Sequence, residues 1–326
     1  MRLPASASDM TEAIRSSAQA NGALSQAARA SAGRPVKRTA GTAIPSRPIS
    51  ALGAIVRASE IARSIGFAPS TNSVPTPGVS LHTGIKSTIT VSPDSYDLYT
   101  FLTTGINTFV VQGASVIGDI FVLGGGGPGA AGGGGGGGLA IFTNVTIPPS
   151  TYTITVGEGG ATGANKDIKG TNGGDSSITV SGTVYKGEGG GAGASYAGVA
   201  NSGGCGGGGG ANNASGAGSG TQGFGGATSN NPFANGGGGG MGGAGSWVTG
   251  GAGLASSFSG TSITYGGGGA GAADPGYCPC NPGSGGGGGL RANGTDGLGG
   301  GGGGAYYSGQ FPGRGGHGRV MIRIRK

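Results

Sequence analysis

Seven consecutive glycines, Gly132–Gly138, restrict this chain more than any other feature, because no side chain along that stretch can be buried. The feature recurs at Gly124–Gly127, Gly206–Gly210, Gly236–Gly240, Gly266–Gly269, Gly285–Gly289 and Gly299–Gly304, with no strict period. Glycine loses more backbone entropy on ordering than any other residue. Such runs therefore either stay unfolded as linkers or pack backbone against backbone. Collagen is excluded, since no Gly-X-Y triplet pattern is sustained and proline is scarce inside the runs. A flexible linker is the simpler alternative, but linkers seldom interleave glycine with β-branched strands, a tryptophan and several tyrosines and phenylalanines. The ordered alternative is a set of left-handed helices like polyproline II, three residues per turn, lying side by side. Without Cβ atoms, neighbouring backbones approach closely enough for N–H and C=O groups to pair between helices on all sides. Seven residues in that form span about 22 Å at ~3.1 Å per residue.

Composition divides the chain in two. Only seven of the 86 glycines fall in the first 90 residues. Charge divides nearly as sharply: residues 1–67 hold nine cations and three acids, and the rest of the chain ten cations and nine acids. The basic character thus belongs to the N-terminal segment, with Arg29, Arg34, Lys37, Arg38 and Arg47 forming a basic arm. Any attraction to nucleic acid or to an acidic partner is expected there. Residues 9–32 and 50–66 read as helices, capped by Asp9 and Ser50. This gives three parts: a basic helical anchoring segment (1–67), a Pro/Ser/Thr-rich linker or extended arm (68–95), and a glycine-rich domain (96–326).

Within the last part, β-branched or alternating runs predict strands at residues 96–103, 107–112, 116–123, 139–147, 152–156, 177–180, 261–265 and 319–325. Five of these precede Gly157 and are expected to pair locally into one sheet. The last has to return across the whole glycine-rich region to join it. The expected fold is mainly β: a small antiparallel sheet module continuing into a polyglycine II sandwich, preceded by a short helical or extended arm.

The passage YTFLTTGINTFVVQGASVIGDIFVLGGGGPGAAGGGGGGGLAIFTNVTIPPSTYTITVGEGG, from Tyr99, resembles the glycine-rich domain of many bacteriophage tail-fibre and other virion proteins, also found in some large DNA viruses. The GGDSS turn at Gly173–Ser177 and the terminal GRGGHGRVMIRI at Gly313–Ile324 belong to the same pattern. The resemblance covers about residues 96–326 and implies a non-enzymatic virion component on the particle surface. In the best-understood members this is a fibre-tip adhesin whose inter-helix loops touch the host receptor. The basic N-terminus departs from those adhesins, so a minor capsid or cement protein anchored to the coat through residues 1–95 stays open. A Gly-rich extracellular matrix protein is a further alternative. Expected partners are other virion proteins through residues 1–95 and a host-surface receptor, with nucleic acid reserved for the basic arm.

The side chains point the same way. Only His82 and His317 are available for acid–base work, no phosphate-binding loop is present, and GxGxxG matches carry no weight inside polyglycine. No cofactor or metal is expected: Tyr277-Cys278-Pro279-Cys280 lacks the two-residue spacer usual in zinc sites. A disulfide from Cys205 to Cys278 or Cys280 is the expected use of the three cysteines in an oxidising compartment. No apolar run is long enough to span a membrane. Asn144, Asn213 and Asn293 sit in N-x-[ST] triplets, which accept glycans in a secretory context and also arise by chance in a chain rich in Asn, Ser and Thr. Loops on a rigid scaffold carry recognition, so Tyr196, Phe224, Phe233, Trp247, Phe258, Tyr277, Tyr306, Tyr307 and Phe311 are the candidate receptor contacts. Their structural alternative is to pack on the glycine helices as core.

Overall fold

The computed structural model describes residues 78–211, 216–229 and 231–326. The basic arm and both N-terminal helices expected from the sequence lie outside these residues.

Twelve strands follow in chain order: β1 (Gly78–His82), β2 (Ile85–Val91), β3 (Asp94–Phe101), β4 (Gly105–Gln112), β5 (Val116–Leu123), β6 (Leu139–Ile147), β7 (Ser150–Val156), β8 (Ser176–Val180), β9 (Thr183–Gly187), β10 (Leu254–Ser256), β11 (Ile263–Tyr265) and β12 (Arg319–Arg325). A 3₁₀ turn at Pro275–Tyr277 is the one helical element among the described residues. All eight strands expected from the sequence form. The stretch 78–91, read as linker or extended arm, instead makes β1 and β2. Their side chains are mostly exposed, so the alternation that marks a half-buried strand is weak there.

The strands do not build one sheet. They form two five-stranded sheets, β1-β4-β7-β8-β9 and β2-β3-β12-β5-β6, plus the β10-β11 hairpin. Pairing is antiparallel throughout. The alternation of β4 and β7 points Phe109, Val111, Tyr152, Ile154 and Val156 inward, where they meet Tyr99, Phe101, Ile120, Val122, Val320 and Ile322 of the other sheet. Tyr99, Phe101 and Phe109 interlock edge to face, with centroids 5.3 and 6.2 Å apart. Ile120–Leu123 of β5 and Val320–Ile322 of β12 are apolar without alternation because both of their faces are covered. The second cover comes from the β10-β11 hairpin and glycine loops, which bury Leu98, Phe121, Leu123, Met321, Cys205, Met241 and Tyr265 in another cluster. As the sequence requires, β12 returns from the far end of the chain and inserts between β3 and β5.

The glycine body grows out of one end of this sandwich. Leu123 pairs with Leu139 in the β5-β6 ladder, and the next bond up, Gly124 N–H to Gly138 C=O at 2.9 Å, is already glycine to glycine. From there the central run Gly132–Gly138 pairs with a period of three. Gly132, Gly135 and Gly138 donate to Ala194, Gly191 and Glu188 (2.9, 2.9 and 2.7 Å). Gly133 and Gly136 donate to Gly236 and Gly239 (both 3.0 Å), and Gly134 and Gly137 to Gly302 and Gly299 (2.8 and 2.7 Å). In return, the Gly133 and Gly136 carbonyls accept from Gly208 and Cys205, those of Gly135 and Gly138 from Gly127 and Gly124, and that of Gly134 from Gly269. Six neighbouring runs thus surround one central run. None of Gly132–Gly138 has a positive φ, so the helix has the left hand of polyproline II. A Cβ on Gly132 through Gly137 would overlap a carbonyl of a neighbouring run in every case. Each Cα therefore lies against a carbonyl oxygen, a close approach open only to glycine.

The disulfide differs from the sequence expectation. Cys278 pairs with Cys280, and Cys205 is free and fully buried. The reason is topological: Cys205 packs with Met241 and Tyr265 next to the sandwich, whereas Cys278 and Cys280 pack with Ala234, Val248 and Ala273. Burial pushes the Cys205 thiol up to about 12. The native protein is accordingly expected to show no thiol reactive toward an aromatic disulfide reagent at pH 8, with Cys205 becoming labelled on denaturation. Peptide mass mapping that placed the native label on Cys278 or Cys280 would contradict this pairing.

Candidate functional site

Register places the loops. Gly124 and Gly138 adjoin strand ends, whereas Ala130 N–H bonds Gly132 C=O at the other end of the same two runs. Around that far end Ala131 N–H donates to Ala194, Ala272 N–H to Ala131, and Ala305 N–H to Ala130 (2.9, 3.1 and 2.7 Å). All five alanines are fully buried, so small side chains close the array where glycine packing ends. The loops leaving this alanine layer, remote from the sandwich, carry Tyr196, Phe233, Trp247, Tyr277, Tyr306, Tyr307 and Phe311. Seven of the nine aromatic candidates therefore have their backbone positions at one end of the body.

Several of them meet. Tyr306 and Tyr307 pack edge to face at 5.0 Å. The Tyr196 hydroxyl donates to the Pro232 carbonyl (3.2 Å), and the next residue, Phe233, accepts from Asp274 N–H (3.0 Å). The Lys166 ammonium lies 4.3 Å from the Tyr196 ring and 2.7 Å from Asp167. Burial, followed by the nearby charge of Asp274 and the phenols of Tyr196 and Tyr307, raises the Tyr306 phenol above its ordinary range. Phe233, Trp247, Tyr307 and Phe311 are 50, 43, 49 and 69% exposed, a large apolar area for a face held on a rigid array. Aromatic residues with polar neighbours suit adaptable recognition.

Two candidates lie elsewhere. Phe224 bonds through its backbone to Gly240 and Gly206, toward the sandwich end, and its ring is exposed on the flank. Phe258 is corrected from surface to core: it is 4% exposed, with its ring 5.4 Å from Phe121 and the Arg323 guanidinium 4.5 Å above it. Its Phe-Ser-Gly setting resembles the other loops, and only the fold of the β10-β11 hairpin onto the sheet separates it from them.

Both histidines and Asp296 are tied to backbone groups. His317 Nδ1 accepts from Gly159 N–H (3.0 Å), and His82 Nδ1 lies 2.8 Å from the Gly84 carbonyl. Arg314 grips Asp296 with two bonds (2.8 and 2.7 Å) and, with the His317 backbone N–H, holds that carboxyl down at about 2. Among the described residues, no group of three or more His, Cys, Asp or Glu side chains is placed to hold a metal ion. No helix among them is long and apolar enough to cross a membrane. Of the N-x-[ST] asparagines, Asn144 is exposed on β6, Asn293 Oδ1 accepts from Arg314 N–H (3.0 Å), and Asn213 lies outside the described residues.

No curated protein matches the chain. The family model for a glycine-rich domain matches residues 103–325, from β4 through β12, and the chain belongs to that glycine-rich domain family.

Proposed function

We propose that the protein is a non-enzymatic structural component of a virus particle that recognises a host-surface receptor through the aromatic loops at the far end of its glycine body. The observation that carries this reading is the convergence of Tyr196, Phe233, Trp247, Tyr306, Tyr307 and Phe311 on the end remote from the sandwich. The resemblance to tail-fibre and virion glycine-rich domains supports the virion setting. A rigid array that fixes loop ends lowers the ordering cost of binding, which favours recognition by short loops. Display on the particle leaves attachment to residues 1–95.

Fluorescently labelled full-length protein is expected to bind cells of the host. Tyr306→Ala/Tyr307→Ala should weaken that binding by at least about tenfold, as truncation of interface aromatics does, with thermal unfolding unchanged. Equal binding by the double variant would overturn the loop assignment. A particle map with copies at every lattice position would favour a cement role instead.

A further inference from the structure

The two sheets are linked along one side of the sandwich by the β1-β2 connection. Along the other side their edge strands, β6 and β9, face each other across an open cleft of about 530 Å³. Phe142, Thr143 and Asn144 line it from β6, and Ser181, Thr183 and Tyr185 from the β8-β9 hairpin. The Phe142 and Tyr185 rings meet edge to face at 4.7 Å, joining the two strand edges. The side-chain hydroxyls and the Asn144 amide make no hydrogen bond within the described residues, and no side chain lining the cleft is charged.

The position of Asn144 is built from below. The β5-β6 register slips between Gly118 and Ile120, so Thr143 and Asn144 together lie opposite Asp119. Asp119 Oδ1 accepts from the Asn144 N–H (2.9 Å), holding that residue at φ 56°, while Asp119 Oδ2 is fixed by Arg323 Nε (2.8 Å). Across the cleft Ser181 has φ 51°, in the two-residue turn with Gly182. Of the three non-glycine residues with positive φ among those described, two border this one cleft. Ser181 has the positive φ that a two-residue hairpin turn requires, and Asn144 takes it through the bulge, so each backbone is fixed by its own strand end.

We propose that this cleft binds a neutral saccharide, one or two residues of a glycan. The walls hold no charge to pair with a phosphate, carboxylate or amine. They offer hydroxyls that both donate and accept, one amide, and an aromatic pair, which match the hydroxyl rim and C–H faces of a sugar ring. The volume is in the range of small-ligand clefts, roughly 300 to 1,000 Å³. A peptide strand added to the β9 edge fits less well. The Gln222 amide already occupies the Lys186 carbonyl (3.1 Å) and Glu188 N–H (2.7 Å) there, and the bulge at Asn144 interrupts the opposing β6 edge.

Full-length protein titrated with a panel of neutral glycans that includes N-acetylglucosamine, cellobiose and lactose, alongside sialyllactose and an extended Val/Thr peptide, tests this. Saturation-transfer NMR is expected to show binding of a neutral sugar. Asn144→Gly, which keeps the positive φ, and Tyr185→Ala should each lower that affinity by about tenfold, as loss of a hydrogen bond or an aromatic wall does. The thermal midpoint of Asn144→Gly should be unchanged. Absence of binding across the neutral panel, unchanged affinity in both variants, tighter binding of sialyllactose than of lactose, or displacement of the sugar by the peptide would each overturn the proposal.

Discussion

Gly135→Ala is expected to destabilise the glycine body by about 3 kcal/mol or more, while Gly289→Ala, also inside a glycine run, leaves it nearly intact. A Cβ on Gly135 would overlap the Cys205 carbonyl and stand 2.7 Å from its carbonyl carbon. That carbonyl belongs to backbone which itself donates from Cys205 N–H to Gly136 (3.0 Å), so neither side can yield without breaking the pairing of both runs. Inserting a methyl into a well-packed interior costs about 1 to 3 kcal/mol, occasionally more; the central position and rigid backbone place this variant at or above about 3. At Gly289 the nearest atom to such a Cβ is Pro282 Cδ, at 3.9 Å. There, the smaller unfolded-state entropy of alanine offsets what little is lost, and the change should stay within about 1 kcal/mol. Denaturant unfolding of the two variants checks the pair. Equal stabilities would mean that the runs are not held by backbone contact.

Arg323→Ala is expected to cost about 3 kcal/mol, because it leaves Asp119, 9% exposed, as a buried carboxylate with no cation beside it. The same guanidinium lies 4.9 Å from the Tyr96 ring and 4.5 Å from that of Phe258 and reaches the Phe258 carbonyl, so it clamps the β10-β11 hairpin onto the sheet. For a domain of this size the loss corresponds to a fall in melting temperature of roughly 10 °C. The double variant Arg323→Met/Asp119→Asn removes the stranded charge and should recover more than half of it, since buried ion pairs are often replaceable by uncharged groups. A single variant as stable as the parent would show that the pair is solvated in solution.

Much of the architecture can be read from residue order alone. The strands from β3 to β8, with β11 and β12, announce themselves through alternation or β-branched runs bounded by Gly, Pro and Asn, and all eight form. Strands β1 and β2 were hidden because they are exposed edge strands, β9 because it is likewise an edge strand that buries only Gly187, and β10 because LAS is only three residues long. The aromatic loops were legible as candidates. Their assembly at one end was not, since it depends on which direction each run travels: the run 236–239 is parallel to Gly132–Gly138, while 299–302 and 188–194 are antiparallel.

By itself the sequence determined the local conformations. Uninterrupted glycine with flanking strands allows no side-chain core, and a three-residue helix paired through its backbone is what remains for an ordered chain. Tertiary structure alone decided the partners. Every glycine run offers the same N–H, C=O and Cα groups, so nothing local distinguishes one neighbour from another. The choice rests on strand ends and loops that bring six particular runs around Gly132–Gly138. The same long-range packing placed Cys205 in a different cluster from Cys278 and Cys280, turned Phe258 inward, and split five neighbouring strands between two sheets. Each of these outcomes depends on contacts between residues far apart in sequence, and for that reason no window of the sequence contains them.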